Sequence, residues 1–222
     1  MTPDSLSWGV PSTDLLEAAA LRARLAVLAP AGPPLSCAEP EPPPPGEGKP
    51  SAVLVAFLRG AEPGILLTRR TATLHAHAGQ VAFPGGQIDP EDPTPEAAAL
   101  REAREEIGLA PARVELVGRL GEYCTGTGFR ITPVVGVLPR GQDLPALGLA
   151  PSPAEVADVF VLSLATLLDP GAPRRQRVKW RGAWREYWVW PHPQQYIWGA
   201  TAAILVALAR HLRAAPPPPG LA

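Results

Sequence analysis

The sequence predicts an α+β protein built as an α/β/α sandwich around a mixed β-sheet. Continuous apolar runs of strand length occur at residues 52–58 and 65–68. A sharply delimited helix is predicted at 94–107 and an amphipathic helix at 198–212, near the end of the chain. Strands that surround one central helix and are followed by another helix are typical of a sheet covered on both faces.

The predicted sheet is preceded by a different kind of sequence. Thr13 or Asp14 is suited to cap a helix that runs to about residue 28. Many of the 30 prolines then cluster at 30–50 and again at 216–219, where an extended, unpacked chain is expected. We therefore predict a helical segment at 1–28, a proline-rich linker at 29–50, the main domain at 51–213 and a proline-rich tail at 214–222.

The domain is predicted to begin with a β-hairpin. Its strands are the apolar runs at 52–58 and 65–68, and the glycines at 60–64 supply the turn. A short strand at 81–83 then leads into a glycine turn at 85–86.

The helix at 94–107 carries a signal at each end. Thr94 is suited to the N-cap, Pro95 to the first helical position and Gly108 to the C-terminal stop. These signals are local, so the bounds of this helix are predicted directly.

The next strands and helix are predicted from apolar segments separated by segments rich in glycine and proline. Strands are predicted at 114–120 and 131–138, joined by a glycine-rich loop at 125–128. A proline- and glycine-rich loop at 140–153 is followed by a short strand and a helix within 159–168.

The end of the domain is rich in tryptophan, with five of the six between residues 180 and 198. Segments 177–179 and 184–190 are predicted to pair across a turn at 181–182. One tryptophan is available to stack on a base, but most are expected to pack in the core or at strand edges. The helix at 198–212 is expected to turn inward Ile204, Leu205, Leu208 and Leu212.

Composition narrows the functional class. A formal net charge of −1, with one short basic run at 174–179, does not favour nucleic-acid binding. The longest apolar stretch, 197–209, is shorter than the roughly 20 residues of a membrane span. The start of the chain lacks a secretory pattern. Cys37 lies in the proline-rich linker and Cys124 beside the glycine-rich loop, so the two are not expected to form a disulfide. We expect a cytoplasmic protein with free thiols.

Three glutamates on the helix at 94–107 indicate a metal site. Glu102, Glu105 and Glu106 occupy positions i, i+3 and i+4, which share one helical face. Like charges so close repel one another unless a cation lies among them. Carboxylates suit Mg²⁺ or Mn²⁺, and Mg²⁺ is usually held by one or two of them together with substrate phosphates. The alternative is a solvated acidic face, as most such charge groups are.

The segment 85–109 resembles the Nudix box, whose pattern is Gly-x5-Glu-x7-Arg-Glu-U-x-Glu-Glu-x-Gly-U, with U aliphatic. The half from Arg101 to Gly108 is intact, but one extra residue separates Gly86 from Arg101. The resemblance implies a Nudix fold and hydrolysis of a pyrophosphate linked to a nucleoside. In this family an early acidic residue pairs with the box arginine. The candidates for that residue are Asp89, Asp92 and Glu96.

A second segment resembles the coenzyme A pyrophosphatase branch of the same family. Residues 66–70 read Leu-Leu-Thr-Arg-Arg and residues 79–86 read Gly-Gln-Val-Ala-Phe-Pro-Gly-Gly. The longer box is also usual in that branch. The resemblance covers roughly residues 51–212 and implies hydrolysis of coenzyme A to 3′,5′-ADP and 4′-phosphopantetheine. One departure is His75, which stands where the branch has an arginine suited to the 3′-phosphate.

The resemblance also implies roles for individual residues. The metal ligands are expected to be Glu102 and Glu106, with Glu105 joining directly or through water and a main-chain carbonyl at Gly86 contributing. Arg101 is expected to orient a carboxylate, and Glu105 or Glu155 to act as the base. Substrate binding is assigned to Arg69, Arg70, His75, His77, Gly85 and Tyr123.

Other interpretations stay open at this point. Arg69 and Arg70 also suit plain surface charges, His75 and His77 polar loop positions, and Glu155 a helix cap. A Nudix hydrolase of another nucleotide, such as ADP-ribose or an oxidised nucleoside triphosphate, is a second functional hypothesis. A non-catalytic ligand sensor is a third, although none of the three glutamates is lost. The N-terminal segment also suits a homodimer contact.

Overall fold

A mixed β-sheet lies at the centre of the computed structural model, which describes residues 17–26, 48–73, 77–180 and 182–214. The strands are β1 (Lys49–Arg59), β2 (Gly64–Arg70), β3 (Val81–Ala82), β4 (Gly85–Gln87), β5 (Glu115–Arg119), β6 (Tyr123–Cys124), β7 (Phe129–Arg140), β8 (Val156–Ser163), β9 (Arg174–Trp180), β10 (Ala183–Trp190) and β11 (Ile197–Trp198). The helices are α1 (Ala18–Ala26), α2 (Pro95–Ile107), α3 (Leu164–Leu168) and α4 (Gly199–Ala214).

The sheet is built around one parallel pair of long strands. β1 and β7 run side by side, with Leu54 opposite Val134. The remaining strands of this sheet join by antiparallel pairing: β2 and β4 on β1, β3 and β8 on β2, and β5 and β6 on β7. The prediction of a mixed sheet is therefore confirmed, and β1 and β7 extend beyond the predicted runs at both ends.

β1 is buried on both of its faces, which accounts for its continuous apolar sequence. Successive side chains point to opposite sides of a strand. Leu54, Ala56 and Leu58 pack in the layer that contains α2, whereas Val55 and Phe57 pack in the layer that contains α1, α3 and α4. The two layers of helices on one sheet form the predicted α/β/α sandwich.

α2 has the bounds and caps that the sequence predicts. Thr94 is the N-cap, and its side chain accepts a hydrogen bond from the backbone N–H of Ala97. Pro95 occupies the first turn, and Gly108 ends the helix in the left-handed conformation with φ of 70°. The small residues on its inner face let α2 lie close to the sheet. This close packing fixes how the acidic face of the helix meets the sheet.

The opposite layer is formed mainly by α4. Its predicted inward residues are buried, namely Ile204, Leu205, Leu208 and Leu212. α1 contributes Leu21 to the same core, while the predicted caps of this helix at Thr13 or Asp14 and its end near residue 28 lie outside the described residues. No helix within the described residues has the length and apolar character needed to cross a membrane.

The tryptophan-rich region forms a second, three-stranded sheet in the order β11-β10-β9. The predicted hairpin is confirmed, because Trp180 pairs with Ala183 across the turn. Trp190 is fully buried in the core, but Trp184 on the same strand is 65% exposed. The packing expected for most tryptophans therefore applies to Trp190 and not to Trp184.

The left-handed end of α2 generates a stability prediction. A Cβ added at Gly108 lies 3.0 Å from the backbone N of Ala150, whereas one added at Gly148, also left-handed, meets nothing within 4 Å. We expect Gly108→Ala to lower the free energy of unfolding by about 2–3 kcal/mol and Gly148→Ala by about 1 kcal/mol. Urea unfolding of both variants measures the difference. Equal losses would show that the contact with Ala150 contributes nothing.

Candidate active site

The acidic face of α2 meets the glycine turn at the start of β4. Its three glutamates differ in exposure because the helix lies against the sheet. The Glu106 side chain is 4% exposed, that of Glu102 18% and that of Glu105 52%. Two of the three predicted metal ligands are thus largely withdrawn from solvent, and the third lies at the rim.

Glu106 is a carboxylate buried between the helix and the sheet. One of its oxygens accepts a hydrogen bond from the backbone N–H of Gly85 at 3.1 Å, and Arg70 Nη1 donates to the other at 3.4 Å. Burial raises the pKa of Glu106 to about 7. The Gly85 N–H and Arg70 lower this pKa, whereas the charges of Glu102 and Glu155 raise it further. The protein alone therefore does not fully compensate this charge.

Glu102 lies directly against Gly86. A Cβ built on Gly86 comes within 2.5 Å of the carboxyl carbon of Glu102, so any larger residue at position 86 displaces this carboxylate. Burial raises the pKa of Glu102, Arg101 lowers it, and the charges of Glu105 and Glu155 raise it. Gly86 thus leaves room for the Glu102 carboxylate against the turn.

Arg101 connects the helix to the loop that precedes it. Its guanidinium makes a bidentate pair with Asp92, with Nη2 donating at 2.9 Å and Nε at 3.2 Å. It also donates to the Gln87 carbonyl at 3.1 Å and to carboxylate oxygens of Glu102 and Glu105, each at 3.0 Å. This single cation therefore holds the loop and two of the acidic side chains in place.

The structure decides which acidic residue pairs with Arg101. Asp92 is the principal partner, with a side chain only 7% exposed, and the hydrogen bond from Arg101 lowers its pKa. Asp89 lies at 3.3 Å but is 55% exposed. Glu96 pairs with Arg119 instead. Asp92 thus takes the place of the early glutamate of the box.

Glu155 faces the same cluster from another part of the chain. It precedes β8, and its backbone carbonyl accepts a hydrogen bond from the Thr71 N–H at 2.9 Å. Its charge raises the pKa of both Glu102 and Glu106. The structure therefore brings Glu155 to the acidic face of α2 across about 50 residues of sequence.

The donor atoms suit a hard divalent cation. Across residues 17–26, 48–73, 77–180 and 182–214, no three carboxylate, histidine or cysteine side chains converge as a formed metal site. Arg101 holds oxygens of Glu102 and Glu105, and Glu106 is turned to Gly85 and Arg70. The raised pKa of Glu102 and of Glu106 marks buried negative charge that a cation among these oxygens would compensate. Oxygen ligands of this kind fit Mg²⁺ or Mn²⁺.

A cavity of about 360 Å³ opens beside the acidic cluster, on the α4 side of the sheet. Arg70, Gly85 and Gly86 form part of its wall, so it is continuous with the surroundings of Glu106. Much of the remaining wall is apolar, from residues including Val53, Phe83, Phe129, Ile131, Trp198 and Ile204. A volume of this size is within the range of small-molecule sites.

Some of the residues predicted to bind substrate line this cavity, and others do not. Arg70, His77, Gly85 and Gly86 line it. Arg69 is not among the lining residues, and Arg70 is the arginine that reaches Glu106. Tyr123, which was also predicted to bind substrate, is buried in the core at 3% exposure and is not among the lining residues. His75 lies outside the described residues.

Ser51 and Trp198 are among the lining residues that were not predicted as site residues. Ser51 begins the apolar run of β1, and its one signal in the sequence is a hydroxyl at the start of a buried strand. Most tryptophans were expected to pack, and Trp198 is 39% exposed and lines the cavity. Ser51 and Trp198 line one cavity although they lie far apart in sequence, so local sequence patterns do not reveal them.

A NUDIX domain model matches residues 48–180 of this chain. The chain is 45% identical over 159 residues to the uncharacterized Nudix hydrolase NudL of Cronobacter sakazakii, covering 72% of this chain and 80% of that relative. It is 41% identical over 166 residues to NudL of Escherichia coli K12, with 75% and 84% covered. A solved Nudix hydrolase from M. smegmatis, RenU, shares the fold with a TM-score of 0.50 at 19% identity, covering 76% of this chain and 88% of its own.

The role of Asp92 generates a comparison of two variants. Asp92→Asn removes the buried partner of Arg101, so we expect it to lower the free energy of unfolding by about 1–3 kcal/mol. Asp89→Asn removes an exposed partner, and a loss below about 0.5 kcal/mol is expected. Urea unfolding of the two variants is the measurement. A larger loss in Asp89→Asn would reverse the assignment.

The raised pKa of Glu106 generates a pH prediction for the metal-free protein. A carboxyl with a folded-state pKa of about 7, against an ordinary value of 4.5, keeps its proton longer in the folded than in the unfolded chain. Its contribution to stability therefore falls as pH rises from 4.5 to 7 and stays lowered above 7. Glu106→Gln removes this penalty, which is at most about 3 kcal/mol.

The check is thermal unfolding in EDTA at several pH values. Glu106→Gln is expected to melt above the unmodified protein at pH 8 and close to it at pH 4.5. A variant that melts below the unmodified protein at pH 8 would show that this buried charge is compensated by the fold itself.

Proposed function

Because the chain belongs to the Nudix family of hydrolases, we propose that it cleaves the pyrophosphate bond of coenzyme A. The products are 3′,5′-ADP and 4′-phosphopantetheine. The observation that carries the proposal is the position of residues 66–70 and 79–86, which make up the segment that resembles the coenzyme A branch. This segment supplies Arg70 and Gly85, which contact Glu106 and line the cavity.

The acidic cluster supplies the expected ligands for Mg²⁺ or Mn²⁺. Glu102 and Glu106 would hold the cation, with Glu105 as a further ligand and the main-chain carbonyl of Gly86 contributing. The bound cation supplies positive charge that neutralises the pyrophosphate and makes water more acidic. Support comes from the raised pKa of Glu102 and Glu106, which reflects charge that the protein leaves uncompensated.

The chain's own residues orient the reacting groups. Arg101 holds the acidic side chains and the loop through Asp92, so the helix face keeps its position when substrate enters. Arg70 lies between Glu106 and the cavity, where its charge favours an anionic group of the substrate. The glycine turn lets the substrate approach the backbone closely.

The water that attacks phosphorus must lose a proton to a base. Glu105 and Glu155 are the two candidates. Glu105 accepts a hydrogen bond from Arg101 at 3.0 Å, so one of its oxygens is already engaged by the protein. Glu155 is exposed and faces Glu102 and Glu106 from the opposite loop. We therefore infer that Glu155 is the base.

A second candidate function is hydrolysis of another nucleotide, such as ADP-ribose or an oxidised nucleoside triphosphate. The observation that favours it is His75, because the coenzyme A branch has arginine there and histidine is only partly charged at neutral pH. A non-catalytic sensor is less well supported, since Glu102, Glu105 and Glu106 are all present.

The test is a set of parallel incubations with Mg²⁺ or Mn²⁺ and coenzyme A, ADP-ribose or mixed nucleoside triphosphates, with products identified by mass. Appearance of 3′,5′-ADP and 4′-phosphopantetheine, faster than any other cleavage, is the expected result. If only another nucleotide is cleaved, the second candidate function replaces hydrolysis of coenzyme A.

A matched pair of variants tests the metal assignment in the same assay. Glu106→Gln is expected to lower kcat by at least about 100-fold, because it removes a ligand charge. Glu91→Gln removes an exposed carboxylate of the preceding loop and is expected to leave kcat unchanged. Full activity in Glu106→Gln would remove Glu106 from the metal site.

A further inference from the structure

Ser51 lies in the cavity wall, and its side-chain hydroxyl is buried without a hydrogen-bond partner in the part of the chain that the structure describes. Ser51 is only 5% exposed. Buried side-chain hydroxyls nearly always have partners, because burial without one costs free energy. A cavity residue that retains such a group is suited to hydrogen-bond with a ligand.

Ser51 lies next to the glycine turn. In the sheet it stands opposite Gln87 of β4 on one side and Ile131 of β7 on the other. The next residue, Ala52, stands opposite Gly86. The hydroxyl is therefore one residue pair away from the turn that holds Glu106, at the junction between the acidic cluster and the apolar cavity.

The other hydroxyls in the cavity wall already form hydrogen bonds within the protein. Thr125 Oγ1 accepts from the Phe129 N–H at 2.9 Å and lies 2.9 Å from the hydroxyl of Thr127. Thr201 Oγ1 donates to the Val81 carbonyl at 2.9 Å. Ser51 is thus the hydroxyl that is best placed to recognise a bound molecule.

The cavity wall carries little charge. Among its described residues, Arg70 is the permanent cation, and it is paired with Glu106. His77 is exposed, and its Nδ1 lies 3.0 Å from Gln80 Oε1. Val53 and Ile131 flank Ser51 with apolar side chains. Such a wall suits a neutral group with branched methyls and a few polar atoms, and it disfavours a phosphate dianion.

We propose that the cavity binds the pantetheine arm of coenzyme A and that Ser51 Oγ hydrogen-bonds to its pantoyl unit. This inference rests on the proposed function. A methylene joins the arm to the pyrophosphate, and it is followed by a carbon bearing two methyl groups, then by a hydroxyl and an amide. The methyl groups match Val53 and Ile131, and the hydroxyl or amide matches Ser51. The 3′-phosphorylated adenosine then lies outside the cavity, and Ser51 selects for the arm.

The experiment measures binding of the two reaction products to the full chain by titration calorimetry with Mg²⁺. Ser51→Ala is expected to raise the Kd of 4′-phosphopantetheine about 5- to 10-fold, the effect of one neutral hydrogen bond. The Kd of 3′,5′-ADP is expected to stay unchanged. Ser152→Ala, in a loop outside the cavity wall, is the matched control and is expected to change neither value.

Melting temperatures separate recognition from a structural role. Because the hydroxyl has no protein partner among the described residues, Ser51→Ala is expected to melt at or above the temperature of the unmodified protein. Ser51→Thr keeps the hydroxyl and is expected to retain more affinity for 4′-phosphopantetheine than Ser51→Ala.

Three results would overturn the inference: a Ser51→Ala loss for 3′,5′-ADP as large as that for 4′-phosphopantetheine, no loss for either, or no binding of 4′-phosphopantetheine by the unmodified protein. Failure of the proposed function is a separate outcome, since it appears as absence of coenzyme A cleavage in the product assay. Cleavage of coenzyme A together with a Ser51 effect confined to 3′,5′-ADP would keep the function and reverse the orientation.

Discussion

Arg101 compensates acidic side chains that come from two segments of the chain. Asp89 and Asp92 belong to the loop before α2, and Glu102 and Glu105 belong to the helix itself. Without a cation at this point, the acidic face of α2 and the acidic loop would repel each other. The bidentate pair with the buried Asp92 therefore holds the loop and, through the Gln87 carbonyl, the glycine turn in register with the helix. The positions of Glu102 and Glu106 relative to Gly86 and Gly85 depend on this arrangement.

The sheet then divides the site into two chemically different parts. Because side chains alternate along β1, Ala52 and Leu54 pack on the α2 side, whereas Ser51 and Val53 line the cavity on the α4 side. The acidic cluster and the apolar cavity meet only where the strands end, at Gly85, Gly86 and Arg70. A substrate with a charged centre and a neutral arm matches this division. This division agrees with the proposed substrate, in which a charged pyrophosphate is joined to a neutral arm.

The region that matches the Nudix family contains one of these two parts completely and the other in part. The matched region, residues 48–180, contains the acidic helix, the glycine turn and Glu155. It ends before β10, β11 and α4, although Trp198 and Ile204 from that part line the cavity. The acidic cluster therefore lies within the matched region, whereas the cavity wall is contributed mainly by this region and in part by the segment that follows it.

The sequence alone determined those features that depend on neighbouring residues. The caps Thr94 and Gly108 set the bounds of α2, and the i, i+3, i+4 spacing places three glutamates on one face, because both effects act within one or two helical turns. The mixed sheet followed from the order of apolar runs. Only the tertiary structure decided which acidic residue is the principal partner of Arg101, namely Asp92. It also decided that Arg70 rather than Arg69 reaches Glu106. Tyr123 belongs to the core, which the sequence did not indicate. The tertiary structure also brought Ser51 and Glu155 to the site, since these contacts join strands and loops far apart in sequence, and no local pattern encodes which of several similar side chains meets a distant partner.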